Sequence, residues 1–226
     1  MPARHDGSAR CDDDLRSSVH EARHTGAVDT VVRRFADLAA EVAALPGAVR
    51  LVGVDGCGGA GKTTFAERLA HAAGGAPVVH TDDFASWDVP MQWWPRMLEQ
   101  VVEPLLRAEP STYRPYDWTA RRFADETVVV EPAPIVVIEG VGATRSAWRQ
   151  RLASALWVDA PRELRLARGL ARDGDHMLGF WQWWMSEEDE YVAQDLPREH
   201  ADLVVCGAPT LVHDPATQFV SVNGRR

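Results

Sequence analysis

Short apolar runs alternate along this chain with longer stretches whose apolar positions recur at helical spacing. The segments VRLVGVD (49–55), PVVHT (77–81), PIVVIEG (134–140), ALWVDA (155–160) and ADLVVCG (201–207) are rich in Val, Ile and Leu and show little polar alternation. That is the pattern of strands covered on both faces. Between them, GKTTFAERLAHAA (61–73), MQWWPRMLEQVVEPLLRA (91–108) and the stretch beginning at Pro161 read as helices. Pro95 falls near the start of the second and Pro161 in the first turn of the third. Upstream, Val28, Val31, Val32, Phe35, Leu38, Ala39, Val42 and Leu45 share one helical face that Pro46-Gly47 ends, so a single amphipathic helix is expected there. Strands separated by helices predict an α/β fold of three layers, with a mostly parallel sheet between helices. Residues 27–210 carry this alternation as one domain, without internal repeats or a low-complexity linker. Residues 1–26 are polar and poor in large apolar side chains, which predicts a disordered tail, and 211–226 read as a C-terminal tail.

Composition narrows the partners. A chain of 226 residues that is 46% hydrophobic has material for one substantial core. Its net charge of −9 argues against a nucleic-acid polymer, whose binding rests on a basic face. No apolar run reaches membrane-spanning length, because Glu131, Pro132, Pro134 and Glu139 interrupt VVVEPAPIVVIEGVGA. The first residues also lack the apolar segment of a secretion signal. Cys11, Cys57 and Cys206 are too scattered for a disulfide framework or a zinc site. A reduced, cytoplasmic setting with small-molecule partners is the expectation, and the oligomeric state is open.

One run concentrates the chemistry. Gly56-Cys57-Gly58-Gly59-Ala60-Gly61-Lys62-Thr63 matches G-x-x-x-x-G-K-[ST] between a predicted strand and a predicted helix, the setting of a phosphate-binding P-loop. In such a loop Gly58, Gly59, Ala60, Gly61, Lys62, Thr63 and Thr64 surround the phosphates, with amides converging on oxygen and the helix N-terminus behind them. Lys62 is the only lysine in the chain, against 23 arginines. A compact ammonium fits between β- and γ-phosphates where a planar guanidinium is too bulky. Thr63 offers its hydroxyl to Mg²⁺. These residues predict nucleoside triphosphate binding, with ATP as the donor and GTP as the other candidate, on a P-loop NTPase fold. A guanine-reading N/T-K-x-D segment is excluded, since no second lysine exists.

Carboxylates at predicted strand ends suggest what happens to the triphosphate. VVHTDDF puts Asp82 and Asp83 at the C-terminal end of a strand, where ligands gather in open α/β sheets. A carboxylate there can accept the proton of an acceptor hydroxyl or hold Mg²⁺. Glu139 ends a second buried strand, a place for a residue that holds a metal-bound water. Arg162, Arg165, Arg168 and Arg172 follow at steps of three, three and four, so they share a helical face and can form a lid over a transferring phosphoryl group. Trp181, Trp183 and Trp184, like Trp93 and Trp94, either pack a helix onto the core or stack on a ligand. His80, His176 and His213 lack metal spacing and read as structural or exposed.

In this order, GCGGAGKTT, DDF, YRPYDW, VVIEG, WVDAPRELRLARGLARD and ADLVV resemble the uridine kinase and phosphoribulokinase group of P-loop small-molecule kinases, over residues 49–207. The resemblance implies a helical lid and Mg²⁺-dependent transfer of the γ-phosphoryl group of ATP to a hydroxyl of a nucleoside-like small molecule. It implies Asp82 as catalytic base, Thr63 and Glu139 in the magnesium shell, and Arg165, Arg168 and Arg172 as lid arginines working with Lys62. Asp83, Tyr113, Arg114, Tyr116, Asp117 and Trp118 would form the acceptor pocket. Two positions depart from the group. Trp118, Arg121 and Arg122 stand where a histidine usually follows the Tyr-Asp-aromatic segment, and Ala85 replaces a usual tyrosine. A sugar, vitamin precursor, antibiotic or nucleoside monophosphate therefore stays open as acceptor, and an ATP-binding regulator is the non-enzymatic alternative.

Overall fold

The computed structural model describes residues 30–222, so the tail expected over residues 1–26 lies outside the described residues. The chain begins with β1 (Thr30–Arg34), α1 (Phe35–Ala43), β2 (Arg50–Asp55), α2 (Lys62–Ala72) and β3 (Val78–His80). A helical stretch follows as α3 (Trp94–Met97), a π-helical turn (Leu98–Val102) and α4 (Glu103–Leu106). Pro104 has no amide and crowds the carbonyl of Gln100 four residues back, which accounts for the widened turn just before it. Four short strands, β4 (Ser111–Tyr113), β5 (Tyr116–Asp117), β6 (Arg122–Phe123) and β7 (Val128–Val130), form two antiparallel pairs, β4 with β7 and β5 with β6. The chain then makes β8 (Ile135–Glu139), β9 (Ser154–Asp159), α5 (Arg162–Asp173), α6 (Leu178–Asp195), β10 (Leu203–Cys206) and β11 (Gln218–Val222).

Seven strands form the main sheet in the order β1-β11-β10-β9-β2-β8-β3. The five from β10 to β3 are parallel. Their C-terminal residues, Cys206, Asp159, Asp55, Glu139 and His80, therefore line one edge of the sheet, where such folds bind ligands. One face of the sheet is covered by α1 and α2. There the rings of Phe35, Phe65 and Phe219 meet with centroids 5.0–5.2 Å apart. The other face is covered by the stretch from α3 to α4, with Met97, Val101 and Leu105 packed on Val136, Ile138 and Trp148.

Two sequence expectations change. The single helix expected from Val28 begins only at Phe35, because Thr30–Arg34 is a strand paired antiparallel with β11, from Thr30↔Val222 to Arg34↔Gln218. Phe35, Leu38, Ala39 and Val42 are buried as the helical face anticipated, whereas Val31 and Val32 sit on an exposed edge strand. Thr30, Val31 and Val32 are β-branched and favour extended backbone, but their spacing also fits a helix. The partner that decides between the two lies almost two hundred residues away, and it is the segment read as part of a C-terminal tail. The sheet thus continues past residue 210, through β11.

Candidate active site

The P-loop connects β2 to α2. Gly59 has φ +78°, and a Cβ there would lie 2.4 Å from the carbonyl oxygen of Arg165, so this position excludes a side chain twice over. The amide of Ala60 closes a turn on Cys57. Among the described residues, the amides of Gly59, Gly61, Lys62 and Thr63 find no protein acceptor. They form a set of donors at a helix N-terminus, which suits an anion. Lys62 is buried beside them, its Nζ donating to the Cys57 carbonyl at 3.2 Å. Below the loop, Asp55 is fully buried and accepts five hydrogen bonds. Its donors are the amides of Gly56, Gly142 and Thr144 and the hydroxyls of Thr144 and Tyr191, at 2.6–3.0 Å. The sequence reading passed over Asp55, which ties the P-loop, the loop after β8 and α6 to one carboxylate.

The carboxylates at the sheet edge gather beside the loop. Thr63 Oγ1 lies 3.3 and 3.4 Å from the two Glu139 oxygens, and Glu139 Oε1 also meets His80 Nδ1 at 2.6 Å. His80 and Glu139 are register partners in β3 and β8, so sheet pairing makes the contact. The hydrogen bond to Glu139 holds the His80 imidazolium above its ordinary range, against the effect of burial. His80 was read as structural or exposed; its signal was its place two residues before Asp82. Asp82 and Asp83 follow in a short 3₁₀ turn (Thr81–Asp83). Asp82 is open to solvent yet crowded by the cleft walls. That crowding raises its carboxyl above the usual range, Glu139 adds to the effect, and Lys62 opposes it. Asp83 is raised for the same reason and is fixed by the Tyr113 hydroxyl at 2.8 Å.

Among the described residues, no three His, Cys, Asp or Glu side chains converge into a ready metal cage. The donors present still suit Mg²⁺, which keeps several waters and takes one or two carboxylates together with substrate phosphates. Thr63 and Glu139 are such donors, with Asp82 nearby.

On the acceptor side, Trp118 Nε1 donates to the Asp82 carbonyl at 3.2 Å. This brings the β5–β6 hairpin over the carboxylates. Of the expected pocket residues, Asp83, Tyr113 and Trp118 stand at the cleft. Tyr116 is buried against the edges of Trp118 and Phe123, and Asp117 caps the turn at Thr119 and Ala120. Arg114 is exposed, with its carbonyl held by Arg96. Trp87, Trp118, Phe180 and Trp183 form an aromatic group beside the cleft, with Trp87 and Trp183 nearly parallel at 6.5 Å. Trp87 and Phe180 were not anticipated. Trp181 is core: it is buried on Gly169, where a Cβ would lie 2.3 Å from the indole. Trp93 is likewise buried.

The arginine stripe divides. Arg162 pairs with Asp189 at the surface, Arg165 is buried against Glu188, and Arg172 pairs with its neighbour Asp173. Arg168 spans the Gly59 and Gly207 carbonyls. It also borders a cavity of about 400 Å³ against the P-loop helix, lined by Gly61, Thr64, Arg68, Pro209 and His213 among others. The sequence carried no motif for that cavity. Among the described residues, no helix is long and apolar enough to cross a membrane.

A strand, P-loop and helix beside a carboxylate cluster at the C-terminal edge of a parallel sheet define a P-loop kinase, a phosphotransferase acting on a small-molecule hydroxyl. No protein-family profile matches the chain. Among curated proteins, the uridine kinase of Deinococcus deserti is 30% identical over 141 residues, 54% of this chain and 68% of that one. The uridine kinase of Borrelia duttonii is 22% identical over 139 residues, 55% of this chain and 68% of that one. The chain belongs to the uridine kinase-like family of P-loop kinases. Solved structures share the fold. A possible uridine kinase from Bacillus stearothermophilus superimposes with a TM-score of 0.56 at 22% identity, covering 75% of this chain and 96% of that one. A protein described as a candidate fructose transport system kinase, from Silicibacter sp. TM1040, gives 0.52 at 21%, covering 74% and 94%.

Proposed function

We propose that this kinase transfers the γ-phosphoryl group of ATP to a hydroxyl of a nucleoside-like small molecule, with Mg²⁺ as cofactor. The observation that carries the reading is the juxtaposition of unpaired P-loop amides with Asp82, whose carbonyl is held by Trp118 at the head of an aromatic group. The amides of Gly59, Gly61, Lys62 and Thr63 cradle the β- and γ-phosphates, with Gly58, Ala60 and Thr64 completing the loop. Lys62 Nζ leaves the Cys57 carbonyl for phosphate oxygen. Thr63 and Glu139 hold Mg²⁺, with Asp82 alongside. When bound, the ion screens the charge of the transferring phosphoryl group.

Asp82 accepts the proton of the acceptor hydroxyl, standing at the sheet edge between the P-loop and the Trp118 indole that holds its carbonyl. Asp83, held by Tyr113, orients the acceptor, and Trp118 with Trp87 and Trp183 receives its planar part. Arg165, Arg168 and Arg172 neutralise charge as it moves, each leaving its present partner: Glu188 for Arg165, the Gly59 and Gly207 carbonyls for Arg168, and Asp173 for Arg172. The test is ADP release with Mg·ATP across a panel of nucleosides, nucleoside monophosphates and sugars. Turnover with nucleosides, reduced about 10²- to 10⁴-fold in Asp82→Asn with ATP affinity retained, is expected. Turnover with sugars alone, or a fully active Asp82→Asn, would overturn the reading.

A further inference from the structure

Glu188 of α6 is completely buried. Its Oε1 accepts from the amide of Gly58 at 2.6 Å and from Trp184 Nε1 at 2.8 Å, and its Oε2 accepts from Arg165 Nη1 at 3.1 Å. Gly58 lies in the middle of the P-loop. A protein carboxylate therefore holds one amide of a loop whose neighbouring amides, at Gly59, Gly61, Lys62 and Thr63, have no acceptor among the described residues. The field of Lys62 also reaches Glu188 and opposes the burial that pushes its carboxyl up. A backbone amide, a guanidinium and a nearby ammonium are the donors that recognise a phosphoryl group, and a carboxylate oxygen offers them similar charge and bond length.

We propose that Glu188 is a positioning residue that stands in for a phosphoryl oxygen of the donor nucleotide. It keeps the Gly58 amide and the Arg165 guanidinium in place while the site is empty, and it gives both up to the arriving phosphate. This rests on the reading that the P-loop takes a nucleoside triphosphate. Arg165 is buried, so it cannot be left without an acceptor, and the phosphate supplies one as Glu188 withdraws. Withdrawal also acts at a distance. The same helix carries Phe180 and Trp183 into the aromatic group and Tyr191 to Asp55. Filling the phosphate cradle thus moves one wall of the acceptor cleft, so the nucleotide prepares the place where the acceptor binds.

The sign of one substitution separates this role from plain support. Glu188→Gln keeps the shape and removes the charge that competes with phosphate, so Mg·ATP is expected to bind about tenfold more tightly than to the unaltered chain, by calorimetric titration. The KM for ATP should fall with it, without a rise in kcat. A mere strut predicts the opposite, since its loss loosens the loop. Weaker or unchanged binding by a folded Glu188→Gln chain overturns the inference. Hydrogen exchange on the unaltered protein gives a second readout. Saturating Mg·ADP should speed amide exchange in peptides spanning 181–192, and slower or unchanged exchange there overturns the inference even if the variant does not fold. Absence of nucleotide binding to the unaltered chain overturns the triphosphate reading and this inference with it. Binding without a gain in Glu188→Gln overturns the inference alone.

Discussion

Asp55→Asn tests whether one buried carboxylate holds the floor of the site. Asp55 accepts three backbone amides and two hydroxyls, all buried. An asparagine offers one oxygen, which serves two or three donors, and turns an amide nitrogen toward the rest. The hydroxyls of Thr144 and Tyr191 can rotate to accept from that nitrogen, but a backbone N–H cannot. At least one buried amide therefore loses its acceptor, and the remaining bonds lose their charge. An unpaired buried donor costs about 1–3 kcal/mol, and replacing charged by neutral hydrogen bonds costs a further ~1 kcal/mol each. A loss of about 3–5 kcal/mol follows, which for a chain this long lowers the melting temperature by roughly 10 °C.

Thermal denaturation followed by circular dichroism measures it, with Asp159→Asn as control. Asp159 makes a half-exposed ion pair with Arg198, worth about 0–1 kcal/mol. Because Asp55 also grips Gly56 at the base of the P-loop, ATP affinity should fall alongside stability. A melting temperature within about 3 °C of the unaltered chain, with ATP binding intact, would refute the reasoning.

Other expectations follow from contacts of the same kind. Lys62→Ala should abolish phosphoryl transfer while leaving the melting temperature within a few degrees, since Nζ makes a single protein hydrogen bond, and near-normal turnover would sink its assignment. Gly169→Ala gains about 1 kcal/mol of helix propensity but places a Cβ 2.3 Å from the Trp181 indole, so a net loss of about 1–2 kcal/mol is expected in urea titration. Trp183→Ala should raise the KM for the acceptor about tenfold and leave that for ATP unchanged, because the indole joins the aromatic group and not the P-loop. The Cys57 thiol is pushed up to about 12, chiefly by burial, so in the folded chain at pH 8 iodoacetamide should modify half-exposed Cys206 well before Cys57, as read by peptide mass spectrometry.

Much of the parallel sheet and its helices was legible because each element declares itself locally. An uninterrupted Val/Ile/Leu run can only be buried on both faces, and a Gly-rich turn between such a run and a helix has one well-defined chemical use. Where two local readings fit equally well, only distant contacts chose. Thr30-Val31-Val32 satisfies helical spacing and extended backbone alike, and pairing with Gln218–Val222 made it a strand. The arginines of α5 keep the spacing of a common face, yet Arg162 turns to Asp189, Arg165 to Glu188 and Arg172 to Asp173, because each finds a different carboxylate in the folded chain.

By itself the sequence determined the P-loop, the carboxylates at the strand ends and the alternation of the five parallel strands with helices, since these depend on residues within a few positions of one another. The tertiary structure decided which groups meet. It joined His80 to Glu139 through strand register, gathered five donors on Asp55, grouped Trp87 with Phe180 and Trp183, and laid Glu188 on the Gly58 amide. Apart from the neighbouring Gly56 amide on Asp55, these contacts span tens to more than a hundred residues. No local propensity encodes them, because the partner of a buried polar group is set by whatever the packed sheet and helices bring within hydrogen-bond reach.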